Sequence, residues 1–161
     1  MSKKRQRAMT PEGLQRLRAA RSTRFLFVRY STAILTFLDI FWFGLLAVLE
    51  SPMCLLPLAA VVFSVVAVVE QTRALDRDDD VMPITELYAE ATLLGDGLVA
   101  ATTIVLGSNV LFPFLASLPV ALAAVGIAAA LRAALLAKLR RISKHTDRGY
   151  GYWAEVAASI K

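Results

Sequence analysis

The sequence predicts an all-α integral membrane protein with four transmembrane helices and amphipathic cytoplasmic helices at both ends. Of the 161 residues, 57% are hydrophobic, whereas soluble domains are about half apolar. The apolar residues collect in four blocks, each close to the ~20 residues that a helix needs to cross a bilayer. The basic residues lie in three groups outside these blocks. Length, hydropathy and charge placement therefore indicate one membrane domain.

The predicted spans are residues 25–49, 53–69, 83–106 and 110–131. Segments 50–52 and 107–109 contain turn-forming residues, so each ends one span and leads into the next. Span four also contains Pro119, which is expected to kink the helix inside the membrane because a proline removes a backbone hydrogen bond. Together the four spans form a transmembrane domain of residues 25–131.

The two ends of the chain are basic and amphipathic. Residues 1–24 are predicted to form a basic tail and an amphipathic helix that begins near Pro11, and residues 132–161 a basic helix and an aromatic tail. Basic side chains beside membrane spans contact anionic lipid headgroups. The predicted headgroup contacts are Arg16, Arg18, Arg21, Arg24, Arg29, Arg132, Lys138, Arg140 and Arg141.

The positions of the basic residues predict the topology. Of the 18 Lys and Arg residues, nine lie at or before Arg29, two between spans two and three, and seven from Arg132 onward. Four spans put these groups on one side, which the positive-inside rule makes cytoplasmic. We therefore expect a multi-pass plasma-membrane protein with both termini in the cytoplasm. The Ala- and Arg-rich composition favours a bacterial source, and the net charge of +5 is explained by topology rather than by nucleic-acid binding.

Two aspartates lie inside the apolar spans. Asp39 follows Phe25 by fourteen residues and Asp96 follows Pro83 by thirteen, or ~21 Å and ~20 Å along a helix. The two carboxylates are therefore expected at similar depth, near the middle of the bilayer, with Glu90 about two turns below. Intramembrane acids often mark proton or ion pathways. Asp39, Asp96 and Glu90 are the candidates for proton or cation binding, or for pairing with a partner.

The predicted apolar cores contain no Lys, Arg or His that could pair with these acids. An isolated carboxylate at the bilayer midplane costs at least ~2.5 kcal/mol. Three solutions stay open. The carboxyls are protonated and bonded to Ser64, Thr36 or Thr102; they bind a cation or face water; or they meet a base from another subunit.

The remaining features of the sequence are small residues suited to helix packing and possible metal ligands. Small side chains let membrane helices approach closely, and the predicted packing residues are Gly95, Gly97, Ala101, Gly126 and Ala130. The single histidine, His145, follows a basic helix end, where stabilisation of the helix C-terminus explains it, and a zinc site would need further Cys or His ligands. We expect no metal and no cofactor.

The function predicted first is a non-enzymatic accessory or structural subunit of a larger membrane complex, such as a transporter or envelope assembly. It would dock through its membrane helices and basic ends to other membrane subunits. One alternative is a small oligomeric transporter or channel, coupled to protons or cations through the intramembrane carboxylates. An enzyme acting on a lipid-linked substrate is the second alternative, although intramembrane proteases of the GxGD type have a glycine where this chain has Leu94.

Overall fold

The chain is helical in a computed structural model that describes residues 11–77, 81–115, 117–146 and 150–151, with the backbone alone for 11–18, 20, 21, 24 and 75–77. Across these described residues no strand occurs. The helices are α1 (Pro11–Val48), α2 (Leu55–Arg77), α3 (Pro83–Leu106), α4 (Ser108–Leu111) and α5 (Leu118–Ser143), with one 3-10 turn at Pro52–Cys54 before α2.

Four segments are long and apolar enough to cross a membrane, which confirms the predicted number of spans. They are Phe25–Val48, Pro52–Ala74, Pro83–Leu106 and Leu118–Ser143. α1 continues without a break through the expected boundary at residue 24, for 38 residues in all. At 1.5 Å per residue it is ~57 Å long, which exceeds the ~30 Å of a hydrocarbon core.

The last span starts later than the sequence analysis predicted. The four-residue helix α4 and an irregular connection occupy the region where that span was expected to begin, and α5 starts only at Leu118. Pro119 therefore lies in the first turn of α5, where its missing N–H has no partner to lose. The predicted kink is wrong for this reason, and α5 instead extends through Ser143.

The four long helices form a ring. α1 packs against α2 and α5, and α3 packs against the same two helices, so α2 lies diagonally opposite α5. One core cluster includes Phe25, Leu35, Met82 and Leu139, and we call the end of the bundle where it lies the Met82 end. The other cluster includes Val99, Phe112 and Val125. It lies toward the opposite end, which also carries residues 49–54 and is called the Ser51 end.

Glu70 of α2 caps the start of α3. The N–H groups of the first helical turn have no partner within their own helix. Pro83 has no N–H, and Glu70 accepts hydrogen bonds from the N–H of Ile84 at 2.9 Å and of Thr85 at 2.6 Å. The Thr85 hydroxyl also donates to Glu70, at 2.8 Å. One carboxylate therefore satisfies the exposed donors of α3 and ties α3 to α2.

Two further hydrogen bonds connect distant parts of the chain. Gln71 of α2 donates to the hydroxyl of Thr32 on α1, at 2.9 Å and in a buried position. Near the Ser51 end, the indole N–H of Trp42 donates to the carbonyl of Leu111, at 3.0 Å, and its ring stacks on Phe112. The first bond joins α1 to α2, and the second holds the short helix α4 against α1.

The predicted small-residue contacts do not form within the chain. Gly97, Ala101, Gly126 and Ala130 are all exposed. A Cβ added at Gly95, Gly97 or Gly126 would meet no atom within 4 Å. The helices of this chain are therefore not drawn together at these positions, and that prediction is wrong for contacts inside one molecule.

Replacing Glu70 with alanine should destabilise the protein by about 1–2 kcal/mol, as losing a helix cap does. The N–H groups of Ile84 and Thr85 would lose their acceptor. Chemical unfolding of the purified protein in detergent measures the change.

Thr72→Ala is the matched control, because Thr72 is exposed on the same helix and bonds only to its own helix at Val68 among the contacts described. It should stay within about 0.5 kcal/mol of the native protein. Equal losses for Glu70→Ala and Thr72→Ala would contradict the capping role.

Candidate functional site

A buried ion cluster lies at the centre of the bundle. Arg132 of α5 donates from Nη2 to both carboxylate oxygens of Asp39 on α1, at 2.9 and 3.1 Å. From Nη1 it donates to Oδ1 of Asp96 on α3. The exposed fractions are 4% for Arg132, 4% for Asp39 and 7% for Asp96. One guanidinium thus joins two carboxylates from different helices, away from solvent.

Each member of this cluster lies near the middle of its candidate membrane span. Asp39 is nine residues from the end of its helix at Val48, Asp96 is thirteen from Pro83, and Arg132 is fourteen from Leu118. The two aspartates lie at the same level, as the helix arithmetic predicts, because both reach the same guanidinium. The two Nη atoms of the planar guanidinium fork, which lysine lacks, each bind one of the two aspartates.

The expectation that no base of the same chain reaches the aspartates is wrong. Arg132 was placed just past a span ending at residue 131, among the headgroup contacts, yet it is buried in the bundle. The late start of α5 moves it toward the helix centre. The hydroxyls of Ser64 and Thr36 bond to carbonyls of their own helices rather than to the acids. A base from another subunit is therefore not required to pair with either aspartate.

The cluster has more acid than base. Two carboxylates face one guanidinium, so the three groups carry a net charge of −1 unless a proton or cation binds. Burying an ion without compensation costs several kcal/mol. Within the described part of the chain, Oδ2 of Asp96, Nε of Arg132 and the hydroxyl of Tyr88 are buried without a hydrogen-bond partner. Oδ2 of Asp96 thus has unused bonding capacity among the described residues, whereas the Tyr88 side chain interacts with Arg132.

Tyr88 is the residue that the sequence analysis overlooked. Its side chain is fully buried on α3, meets the ring of Phe63 edge-on and interacts electrostatically with Asp39, Asp96 and Arg132. It precedes Asp96 by eight residues, about two helical turns, and therefore lies on the same face of α3. That spacing is the sequence signal that could have identified it.

A cavity of about 220 Å³ separates the ion cluster from α2. Asp39, Asp96 and Arg132 form its polar side, and α2 contributes Ala59 and Ala60 to its apolar side. These alanines make room because their side chains end at Cβ. Ala59 is itself exposed, so the cavity reaches the outside of the bundle beside α2.

A second ion cluster lies toward the Met82 end. Arg140 of α5 donates to Glu86 at 3.2 Å and to Glu90 at 2.6 Å, both on α3. All three side chains are partly exposed, so solvent screens both pairs. Glu90 therefore pairs with Arg140 and is not part of the central cluster.

The other predicted headgroup residues differ in position. Arg29 and Arg141 are exposed, and Lys138 is half-buried. The side chains of Arg16, Arg18, Arg21 and Arg24 lie outside the described part of the structure. Headgroup contact stays a prediction for these seven residues.

No family model, curated protein or solved structure matches the chain. In the part of the chain that the structure describes, no three His, Cys, Asp or Glu residues converge as they would around a metal ion. The ion cluster and its cavity are therefore the features from which a function can be argued.

Replacing Arg132 with methionine should destabilise the protein by about 3–5 kcal/mol, because removing one partner leaves buried charges uncompensated. Thermal and chemical unfolding in detergent measures the loss. Adding Asp39→Asn and Asp96→Asn to the same chain should recover most of it, since an apolar or neutral replacement of the whole cluster leaves no buried ion.

Arg141→Met provides the control on the same helix, because Arg141 is exposed. It should change the free energy of unfolding by no more than about 0.5 kcal/mol. A single Arg132→Met variant as stable as the native protein would show that the cluster does not hold the helices together.

Proposed function

We propose that this chain is a small membrane transporter coupled to protons or cations, with Asp39, Asp96 and Arg132 as the centre that binds the coupling ion. The observation that carries this proposal is the excess of one carboxylate in a buried cluster. In a bilayer, such a centre favours either a proton or a positive ion, because each cancels the remaining negative charge.

The surroundings of the centre support ion binding over a purely structural role. Oδ2 of Asp96 is buried without a partner in the described residues, and Asp96 is one of the residues that line the cavity. A centre that served only to join helices would gain stability by pairing this oxygen. The unused oxygen is therefore available to an ion that comes and goes.

The cavity also makes access one-sided. It lies between the ion cluster and the first turns of α2, toward the Ser51 end. Toward the Met82 end, Leu35 of α1 and Leu135 of α5 are fully buried in an apolar core cluster. The cavity reaches the outside of the bundle beside α2, whereas packing closes the Met82 end, so an ion would reach the centre from one side.

The accessory-subunit function stays a prediction with less support. It rested on Asp39 and Asp96 having no basic partner, and Arg132 is a basic partner of both. The basic ends and the missing catalytic motif are its remaining support. Purification from the native host in mild detergent tests it, since a subunit should bring other proteins with it in fixed ratio.

Transport can be measured with the purified chain in liposomes that contain a trapped pH dye. When a Na⁺ or K⁺ gradient is imposed and the membrane potential is clamped, the internal pH should change faster than in protein-free liposomes. Asp96→Asn should reduce the rate to the protein-free level, because the amide cannot exchange a proton at the unpaired oxygen. Asp39→Asn should reduce the rate as well, since it removes the excess negative charge.

Glu50→Gln is the control for the same acid-to-amide change, because Glu50 is exposed in the turn after α1. It should transport at the native rate. Equal rates for the native chain and Asp96→Asn would overturn the proposed function. No flux combined with fixed-ratio co-purification would favour the accessory subunit.

A further inference from the structure

We propose that the cation bound at this centre is a small organic ammonium ion, which occupies the cavity between Asp96 and α2. The assignment rests on the proposed function, because it names the ion that the centre carries. Its evidence is the charge of the cluster, the shortage of oxygen ligands, the apolar wall of the cavity and the cavity volume.

The sign of the charge excludes an anion. Two carboxylates outnumber one guanidinium, and both Nη atoms of Arg132 already donate to them. Only Nε of Arg132 is left without a partner among the described residues. A bound anion would add negative charge beside Asp96, whereas an ammonium N–H can donate directly to its unpaired oxygen.

A divalent metal ion would lack ligands. Magnesium and calcium take about six or more oxygen ligands. Both oxygens of Asp39 and one oxygen of Asp96 already accept from Arg132. The hydroxyl of Thr92, which also lines the cavity, donates to the carbonyl of Tyr88. The cavity therefore offers few oxygens, which suits a cation that carries its own apolar shell.

The apolar wall of the cavity matches such a shell. Ala59 and Ala60 of α2 face the cluster across the cavity, and the aromatic side chains of Trp42 and Phe63 line it from two helices. Aromatic rings attract alkylammonium ions through cation–π interactions. Trp42 is held in place by its bond to the carbonyl of Leu111, so this part of the wall is preformed.

The cavity volume sets how much of a ligand can lie inside the bundle. A water molecule in the liquid takes up ~30 Å³, so about 220 Å³ holds roughly seven non-hydrogen atoms or somewhat more. Drug-sized ligands usually occupy pockets of ~300–1,000 Å³. The expected ligand is thus a monovalent amine or ammonium ion with one small apolar group.

Benzylammonium and benzyl alcohol test this inference, because they have the same ring and nearly the same size but differ in charge. Calorimetric titration of the full-length purified chain in detergent should show binding of benzylammonium at least about tenfold tighter than benzyl alcohol, the effect of one charge-assisted hydrogen bond. Asp96→Asn should abolish that preference. Equal affinities for the two probes in the native chain would overturn the assignment.

Steric variants locate the binding site. Ala60→Phe should fill the cavity and abolish benzylammonium binding, and Ala60→Leu should weaken it. Val62→Phe is the control, because Val62 is exposed on the same helix and should leave binding unchanged. Unfolding curves establish which variants fold. Binding that survives in folded Ala60→Phe and Ala60→Leu chains would lie elsewhere and would overturn the inference.

The two proposals fail separately. Proton movement that requires Asp96 and is driven by Na⁺ or K⁺, together with equal affinity for both probes, overturns the ligand assignment and leaves transport standing. A charge preference that requires Asp96, without any flux in liposomes under a gradient of Na⁺, K⁺ or benzylammonium, supports the binding site and contradicts transport.

Discussion

Arg132 reaches from α5 to an aspartate on α1 and to another on α3, and these contacts are buried. Because an unpaired ion in this environment costs several kcal/mol, the three helices can fit together only where the charges meet. A slide of one helix by a single turn, ~5.4 Å, would separate a carboxylate from the guanidinium. The cluster therefore determines the register of three of the four long helices.

α2 is held differently, and this difference creates the cavity. Its polar tethers among the described contacts lie near the Met82 end, where Glu70 binds the start of α3 and Gln71 binds Thr32 of α1. Closer to the Ser51 end, α2 presents Ala59 and Ala60 to the ion cluster. Small side chains at that level leave a gap that larger apolar residues would have filled. The cavity beside this part of α2 thus lies next to the excess negative charge.

These features explain why ion transport is favoured over a docking function. If Arg132 neutralised both aspartates completely, the cluster would be purely structural. If no base reached them, they would require a partner. The observed arrangement lies between the two: one carboxylate is bound in bidentate fashion, and the other keeps a buried oxygen without a partner in the described residues. In the proposed function, this partial pairing would allow a proton or cation to bind and leave reversibly.

Hydropathy and spacing predicted the four apolar helices and the equal depth of Asp39 and Asp96, because both follow from counting residues along one helix. Counting residues gave the wrong position for Arg132. The start of its helix was predicted from apolar content, whereas Pro119 lies in the first turn of α5. The partner of the aspartates, the burial of Tyr88 and the cavity beside α2 were decided by tertiary structure alone. They depend on which helices are neighbours, and hydropathy carries no information about that, because every apolar face is equally suited to lipid and to another helix.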